Sequence, residues 1–233
     1  NPNGIMFGPE AQLDIKGSFT ASTAGSFGFE NGEEFSAVAS ETSLLSVSVP
    51  LGLQLNTQSQ GDLTNAAFLS VGQGENLYLI GSQVSTSVQL SAPGGTAQVL
   101  GNQIELIDRE TATPSSSNSP DDTELIVQAT EGITIPDVSD DELRFLDDSG
   151  DIQLVADANT DGIGNLRMVD VQDSLRASGR DIDISGVNIT LGGVDTSSVN
   201  LEDEGDISIS TISDDIRTRD LDSSSDLSSG DIG

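Results

Sequence analysis

Asp181-Ile182-Asp183-Ile184-Ser185 returns as Asp206-Ile207-Ser208-Ile209-Ser210, and Asp231-Ile232 opens the same phrase again. The leading aspartates, Asp181, Asp206 and Asp231, are evenly spaced at an offset of 25. Between them Val194-Asp195-Thr196-Ser197-Ser198 is echoed by Leu221-Asp222-Ser223-Ser224-Ser225. That second offset, from Val194 to Leu221, is longer by two, which places a short insertion around Ser210 to Ser213. Apolar and polar residues alternate within each unit, the period of a strand with one buried face. A unit of this length is too small to bury its own hydrophobic face, so successive units must stack. The predicted fold is all-β: a right-handed parallel β-helix with about three short strands per coil and inward Ile and Val ladders about 4.8 Å apart. About ten such coils make a rod of about 50 Å. An antiparallel β-sandwich is the alternative. It explains the alternation but not the echo.

The same alternation runs upstream. Leu45-Val47-Val49 continues into Leu51-Leu53-Leu55, followed by Phe68 to Val71, Leu77-Leu79, Val88-Leu90-Ala92, Ala97-Val99 and Ile104-Leu106. Residues 107–123, rich in Ser, Thr, Pro and Asp, interrupt it and read as a linker or an extruded loop. It resumes at Leu125-Val127-Ala129, Ile133-Ile135, Leu143-Phe145 and Ile152-Leu154-Ala156. Three segments result: 1–106, 107–123 and 124–233, the last with a period of about 25.

Composition narrows the function. The net charge is −31, from 39 acidic residues against Lys16 and seven Arg. Nine of those acids precede residue 107 and thirty follow it. Such a field repels nucleic acid and anionic lipid and favours cations and high salt. It fits a solvated, salt-adapted surface or a multi-site cation-binding one. With no Cys and no His, disulfides, thiol chemistry, zinc ligation and His-based catalysis are all excluded. No apolar run approaches the ~18 residues of a membrane span. No signal peptide is visible, and a chain opening inside a turn without Met reads as a piece whose start is missing.

That turn is Asn1-Pro2-Asn3-Gly4, followed by Ile5-Met6-Phe7-Gly8-Pro9 and by Ala11, Leu13 and Ile15 alternating with polar residues. Pro2 presets one backbone angle, and Asn3 and Gly4 tolerate positive φ. The stretch from Asn1 to Phe19 therefore reads as turn, buried strand, turn and half-buried strand. The run closely resembles the Asn-Pro-Asn-Gly-Ile-x-Phe-Gly-Pro signature of the filamentous-haemagglutinin family, in the amino-terminal secretion domain of the type common in cyanobacteria. Gly17-Ser18-Phe19 with Ala21 to Ala24, Val49-Pro50-Leu51-Gly52-Leu53-Gln54 and Leu90-Ser91-Ala92-Pro93-Gly94-Gly95 repeat other family phrases in order. By motif the resemblance covers residues 1–106, a secretion-domain-like β-helix lacking its amino-terminal part. It continues more loosely beyond.

The resemblance implies a fragment of a large secreted adhesin, exported by two-partner secretion through an outer-membrane β-barrel transporter with periplasmic recognition domains. The destination is the medium or cell surface of a Gram-negative-type bacterium, and the target a cell-surface or glycan receptor. Asn1, Pro2, Asn3 and Gly4 are carried over as secretion determinants. Family repeats often place paired Gly before the Asp-Ile step, whereas Glu202-Asp203-Glu204-Gly205 precedes Asp206 here. The competing expectation is an acidic structural or cation-binding matrix protein that needs no barrel partner.

Two chemical candidates remain. Asp157, Asn159, Asp161, Gly162 and Asn165 reproduce the first nine positions of a calcium loop, with oxygen ligands at alternate positions and Gly at the sixth. The twelfth position is Met168 rather than a bidentate acid, and Asp170 falls two positions late. An acidic turn between coils explains the same residues, and no other cofactor is expected. Asp147, Asp148, Asp151, Asp214 and Asp215 supply carboxylate pairs of the kind glycosidases use. Adjacent acids in a strand point to opposite faces, and no basic or aromatic cluster accompanies them to hold a sugar. The expectation is a non-enzymatic protein.

Overall fold

The computed structural model describes residues 3–24, 26–29, 34–36, 50–52, 61–108, 122–146, 149–198, 205–212 and 215–223. Strands β1 (Ile5–Phe7) and β2 (Phe19–Ser22) open the stack, and β3 (Ser26–Phe29), β4 (Glu34–Ser36) and β5 (Pro50–Gly52) form a separate three-stranded sheet. The stack continues with β6 (Leu63–Asn65), β7 (Leu69–Ser70), β8 (Leu77–Ile80), β9 (Gln83–Ser87) and β10 (Leu90–Ser91). Strands β11 (Thr96–Ile107) and β12 (Glu124–Ile135) are the longest. After them come β13 (Glu142–Arg144), β14 (Ile152–Val155), β15 (Asn165–Met168) and β16 (Ser174–Arg176). The last two described coils are β17 (Ile182–Gly186), β18 (Ile189–Thr190), β19 (Gly193–Asp195) and β20 (Ile207–Thr211), β21 (Ile216–Arg217), β22 (Asp220–Asp222). No helix occurs among the described residues.

These strands line three faces. The first stacks β2, β8, β11, β12, β14, β17 and β20. The second stacks β1, β6, β9, β11, β12, β15, β18 and β21. The third holds the pair β7–β10 and the row β13, β16, β19, β22. Both long strands belong to the first two faces, and they turn the corner where their mutual register shifts between Gly101 and Gln103. Every pairing on the three faces is parallel, so the chain is a parallel β-helix. A sandwich would require antiparallel ladders, and among the described residues those occur only in the β4-β3-β5 sheet. Pro50 to Gly52, expected to continue an alternating run, lies in that sheet; the rest of the Leu45–Leu55 run falls outside the described residues.

The core is the inner column of the alternation. Leu77, Ala97, Leu125, Ile152 and Ile182 climb the first face one above another, each no more than 2 % exposed. Deleting a buried Leu or Ile side chain from such a column costs about 2–5 kcal/mol. The two echoes read from the sequence are stacked neighbours: Ile182 lies against Ile207, and Val194-Asp195 against Leu221-Asp222. Gly186 pairs with Thr211 at an offset of 25 and Ile189 with Ile216 at 27, so the insertion sits between Thr211 and Ile216.

Two expectations need correction. Coil length is not constant. On the first face the step from Phe19 to Leu77 exceeds all others; from β8 onward, the step from Leu77 to Ala97 is the shortest and that from Ile152 to Ile182 the longest. The steps from Ala97 to Leu125, Leu125 to Ile152 and Ile182 to Ile207 fall between them. Loops leave the corners at different lengths while the ladders keep register. The second face shows eight rungs among the described residues, a rise of about 34 Å at ladder spacing. The long step from Ile5 to Leu63 carries the separate β4-β3-β5 sheet. Ala11 to Ile15 form no ladder; Ala11 and Leu13 still pack against the core. Alternation reports which side chains are buried, and a segment at the end of a stack can satisfy it without a strand partner.

Candidate functional site

The expected secretion motif sits at one end of the stack. Asn1 and Pro2 lie outside the described residues. Asn3 is exposed in a turn and Gly4 has φ of 103°. A side chain on Gly4 would be strained by that angle, and its Cβ would stand 3.1 Å from the Asp62 carbonyl oxygen. The next amide, Ile5 N–H, donates to that same carbonyl at 2.9 Å, which locks the turn onto the following coil. Strand β1 pairs with β6 and has no second ladder partner among the described residues. Met6 points away from the core, 79 % exposed, while Phe7 packs edge-on against Phe19 with ring centroids 6.0 Å apart. Among the described residues, β1 therefore combines an unpaired backbone edge, the exposed Met6 and a turn that only glycine fits.

The calcium-loop residues are held in two different places. Asp157 is buried, and its Oδ1 and Oδ2 accept the N–H groups of Asp161 (3.2 Å) and Gly162 (3.0 Å). Asp161 accepts Ile163 N–H through Oδ1 and the Asn159 side-chain amide through Oδ2. These carboxylates close their own loop, which turns through positive φ at Thr160 and Gly162. Asn165 is elsewhere: it begins β15, and its Oδ1 accepts both the backbone and side-chain N–H groups of Asn188 one coil on. Met168, at the pattern's twelfth position, is a buried residue of the same strand.

A second acidic group, which the sequence reading missed, lies at the corner after the second face. A carboxylate oxygen from each of Asp137, Asp170 and Asp173 lies within 4.8 Å of those of the other two. Ile133 pairs with Leu166 and Ile135 with Met168, and the same offset separates Asp137 from Asp170. The two acids therefore occupy equivalent points of neighbouring coils. Asp173 is 1 % exposed; its Oδ2 accepts Val138 N–H at 3.1 Å, and its buried Oδ1 has no hydrogen-bond partner. Burial raises its pKa above the ordinary aspartate value; the Val138 bond lowers it, and Asp170, Asp137 and Asp141 push it up again. A signal existed in the sequence only for a reader who knew the length of this coil.

Arg180 is a third buried charged residue, 2 % exposed. Its Nε donates to the Gly150 carbonyl, Nη1 to Leu146 (3.3 Å), and Nη2 to Thr123 (2.8 Å) and Asp151 (3.4 Å). One guanidinium thus satisfies carbonyls from two lower coils, including that of Thr123, where the chain re-enters the stack after the 107–123 segment. The carboxylates considered for hydrolysis are Asp147, Asp148, Asp151, Asp214 and Asp215. Asp147, Asp148 and Asp214 lie outside the described residues, Asp215 pairs with Arg217 at 3.1 Å, and Asp151 is exposed.

No curated protein and no solved structure matches the chain. The TPS secretion domain family does, over residues 1–168, from the Asn3–Gly4 turn at the end of the stack to the close of β15. A match across most of the chain, on a parallel β-helix whose first turn carries the signature residues, establishes the relationship. The chain belongs to the TPS secretion domain family, the amino-terminal domain of filamentous-haemagglutinin-type proteins that two-partner secretion carries across the outer membrane of Gram-negative bacteria.

Proposed function

We propose that this chain directs export of a large adhesin through an outer-membrane β-barrel transporter whose periplasmic domains recognise it, and that it has no enzymatic role. The supporting observation is the family match over residues 1–168; the proposed export determinant is Asn1 to Gly4, of which Asn3 and Gly4 form the turn before β1. The chemistry suits passage as an unfolded chain. A polypeptide with no Cys forms no crosslinks, and a charge of −31 opposes collapse and aggregation before export. The backbone ladders on the three faces join each coil only to its neighbours, so folding proceeds coil by coil as the chain emerges. The finished rod then holds the rest of the adhesin toward a surface or glycan receptor.

The test is secretion of this chain, behind a cleavable export signal, in cells producing the barrel encoded beside its gene. Gly4→Val and a deletion of Asn1 to Gly4 are expected to reduce the protein in the medium at least about tenfold, a loss of about 1.4 kcal/mol if recognition is the limiting step. Equal secretion with and without the turn would overturn the assignment. A cation-binding matrix role has the charge of −31 in its favour; export independent of any barrel would support that reading instead.

A further inference from the structure

We propose that Asp137, Asp170 and Asp173 form a binding site for one calcium ion, which ties together the corners of two neighbouring coils. The site is built by the fold. Asp137 follows β12, Asp170 follows β15 in the next coil, and Asp173 closes the turn that joins β15 to β16. Backbone bonds fix these turns: Val169 N–H donates to the Ile135 carbonyl (2.8 Å), Ser174 N–H to Asp141 (2.9 Å) and Gly193 N–H to Asp173 (2.9 Å). The third coil roofs the site with Gly192, where a Cβ would collide with the Asp173 carbonyl. Gln172 N–H donates to Asp170 Oδ1 at 2.8 Å, which orients that carboxylate.

Two features point to a cation rather than to a merely acidic corner. The Asp173 Oδ1 is buried and has no hydrogen-bond partner, the arrangement that folded proteins avoid unless something else satisfies the atom. The charged neighbours acting on Asp173 are Asp170, Asp137 and Asp141, all negative. The adjacent Arg219 is directed to the Gln172 carbonyl and to Asp220. Bringing three carboxylates within 4.8 Å of one another is unfavourable without a counter-charge.

The donor set selects the ion. Three oxygens as far as 4.8 Å apart surround a point about 2.8 Å from each, so a contraction of a few tenths of an ångström brings them to the calcium–oxygen distance of about 2.3–2.6 Å, with water completing the ion's six to eight ligands. Magnesium needs about 2.1 Å and near-octahedral geometry, which these three turns do not impose. Softer metals prefer His and Cys, and the chain has neither. An ion bound only by the folded form stabilises the stack by mass action.

The test uses the full 233-residue chain, stripped of divalent ions by a chelator and titrated calorimetrically with calcium chloride at fixed ionic strength. One ion is expected with Kd of about 0.1–1 mM, the range of extracellular calcium modules, with a matching rise in Tm. Asp137→Asn, at an exposed position that leaves the fold intact, is expected to weaken binding about tenfold or more, and Asp173→Asn to remove it. Asp161→Asn, in the other acidic loop, is expected to leave it unchanged. If Asp173→Asn fails to fold, Asp137→Asn and Asp170→Asn carry the test. No calcium heat above a choline chloride control would overturn the proposal. So would binding that Asp137→Asn leaves intact, binding that Asp161→Asn abolishes, or equal affinity for magnesium.

Discussion

Arg180 and Asp173 are single charged side chains buried at corners of the same stack, 2 % and 1 % exposed, yet their surroundings differ in kind. The guanidinium meets four backbone carbonyls from two lower coils. The carboxylate meets one amide and two other carboxylates, and keeps an oxygen with no hydrogen-bond partner. A β-helix corner leaves carbonyls without ladder partners, and a planar cation with five donors can serve several of them at once. The same geometry offers a buried anion few donors. Arg180 is therefore a structural staple, whereas Asp173 is left with a demand that the protein itself does not meet.

The comparison can be broken most directly at Arg180. Arg180→Met removes every donor from those carbonyls and is expected to lower stability by about 3 kcal/mol or more, read as a fall in denaturant midpoint. Arg180→Lys, a point charge on a flexible stem, should recover less than half of that. The Asp157 loop is the intermediate case, a buried carboxylate that its own backbone satisfies. Asp157→Ala should cost about 1–2 kcal/mol through loss of the Asp161 and Gly162 bonds, and Asp157→Asn about half. At Asp173 the sign reverses. Without divalent ions, Asp173→Asn removes a desolvated, repelled charge and lets an amide donate toward Asp170, so Tm should rise by about 2 °C. A fall in Tm would show Asp173 to be structurally satisfied.

The smallest effect concerns pH. Asp151 has its pKa raised above 3.8 by desolvation first, then by Asp181 and Glu124, with Arg180 pulling it down. Its folded form binds the proton more tightly than the unfolded form. The stability it contributes is thus fully present below the unfolded pKa and is lost as pH rises through the folded one. Acidification from neutrality toward pH of about 4 should raise Tm in calcium-free buffer, and Asp151→Asn should flatten part of that slope. A slope unchanged by the substitution would assign it to the rest of the acidic surface.

Much of the fold could be read from particular residues. Leu77, Ala97, Leu125 and Ile152 declared themselves by alternation, and all lie in the buried column. The phrase around Asp181 and Asp206 gave the stacking, and the longer offset of the second echo located an insertion now seen between Thr211 and Ile216. The Asn3–Gly4 turn was legible because positive φ restricts residue choice locally. The calcium-loop pattern misled in part for the same reason, since acidic turn residues satisfy their own backbone as readily as they hold an ion. Strand Asn165–Met168 takes the second half of that pattern into a ladder.

The sequence alone thus determined the alternation, the parallel stack, the buried column and the family, because each is written in local pattern or in short phrases. Tertiary structure alone decided where the coils lengthen, and hence which distant side chains share a corner. The long step that pairs Ile135 with Met168 places Asp137 under Asp170. Shorter and unequal steps, from Leu125 to Ile152 and from Ile152 to Ile182, bring Glu124 and its neighbour Thr123 under Asp151 and then Arg180. Loop length varies at little energetic cost, because closure entropy grows only with its logarithm, while ladder register does not vary. Residues that meet across loops of unequal length carry no fixed spacing that a sequence could announce.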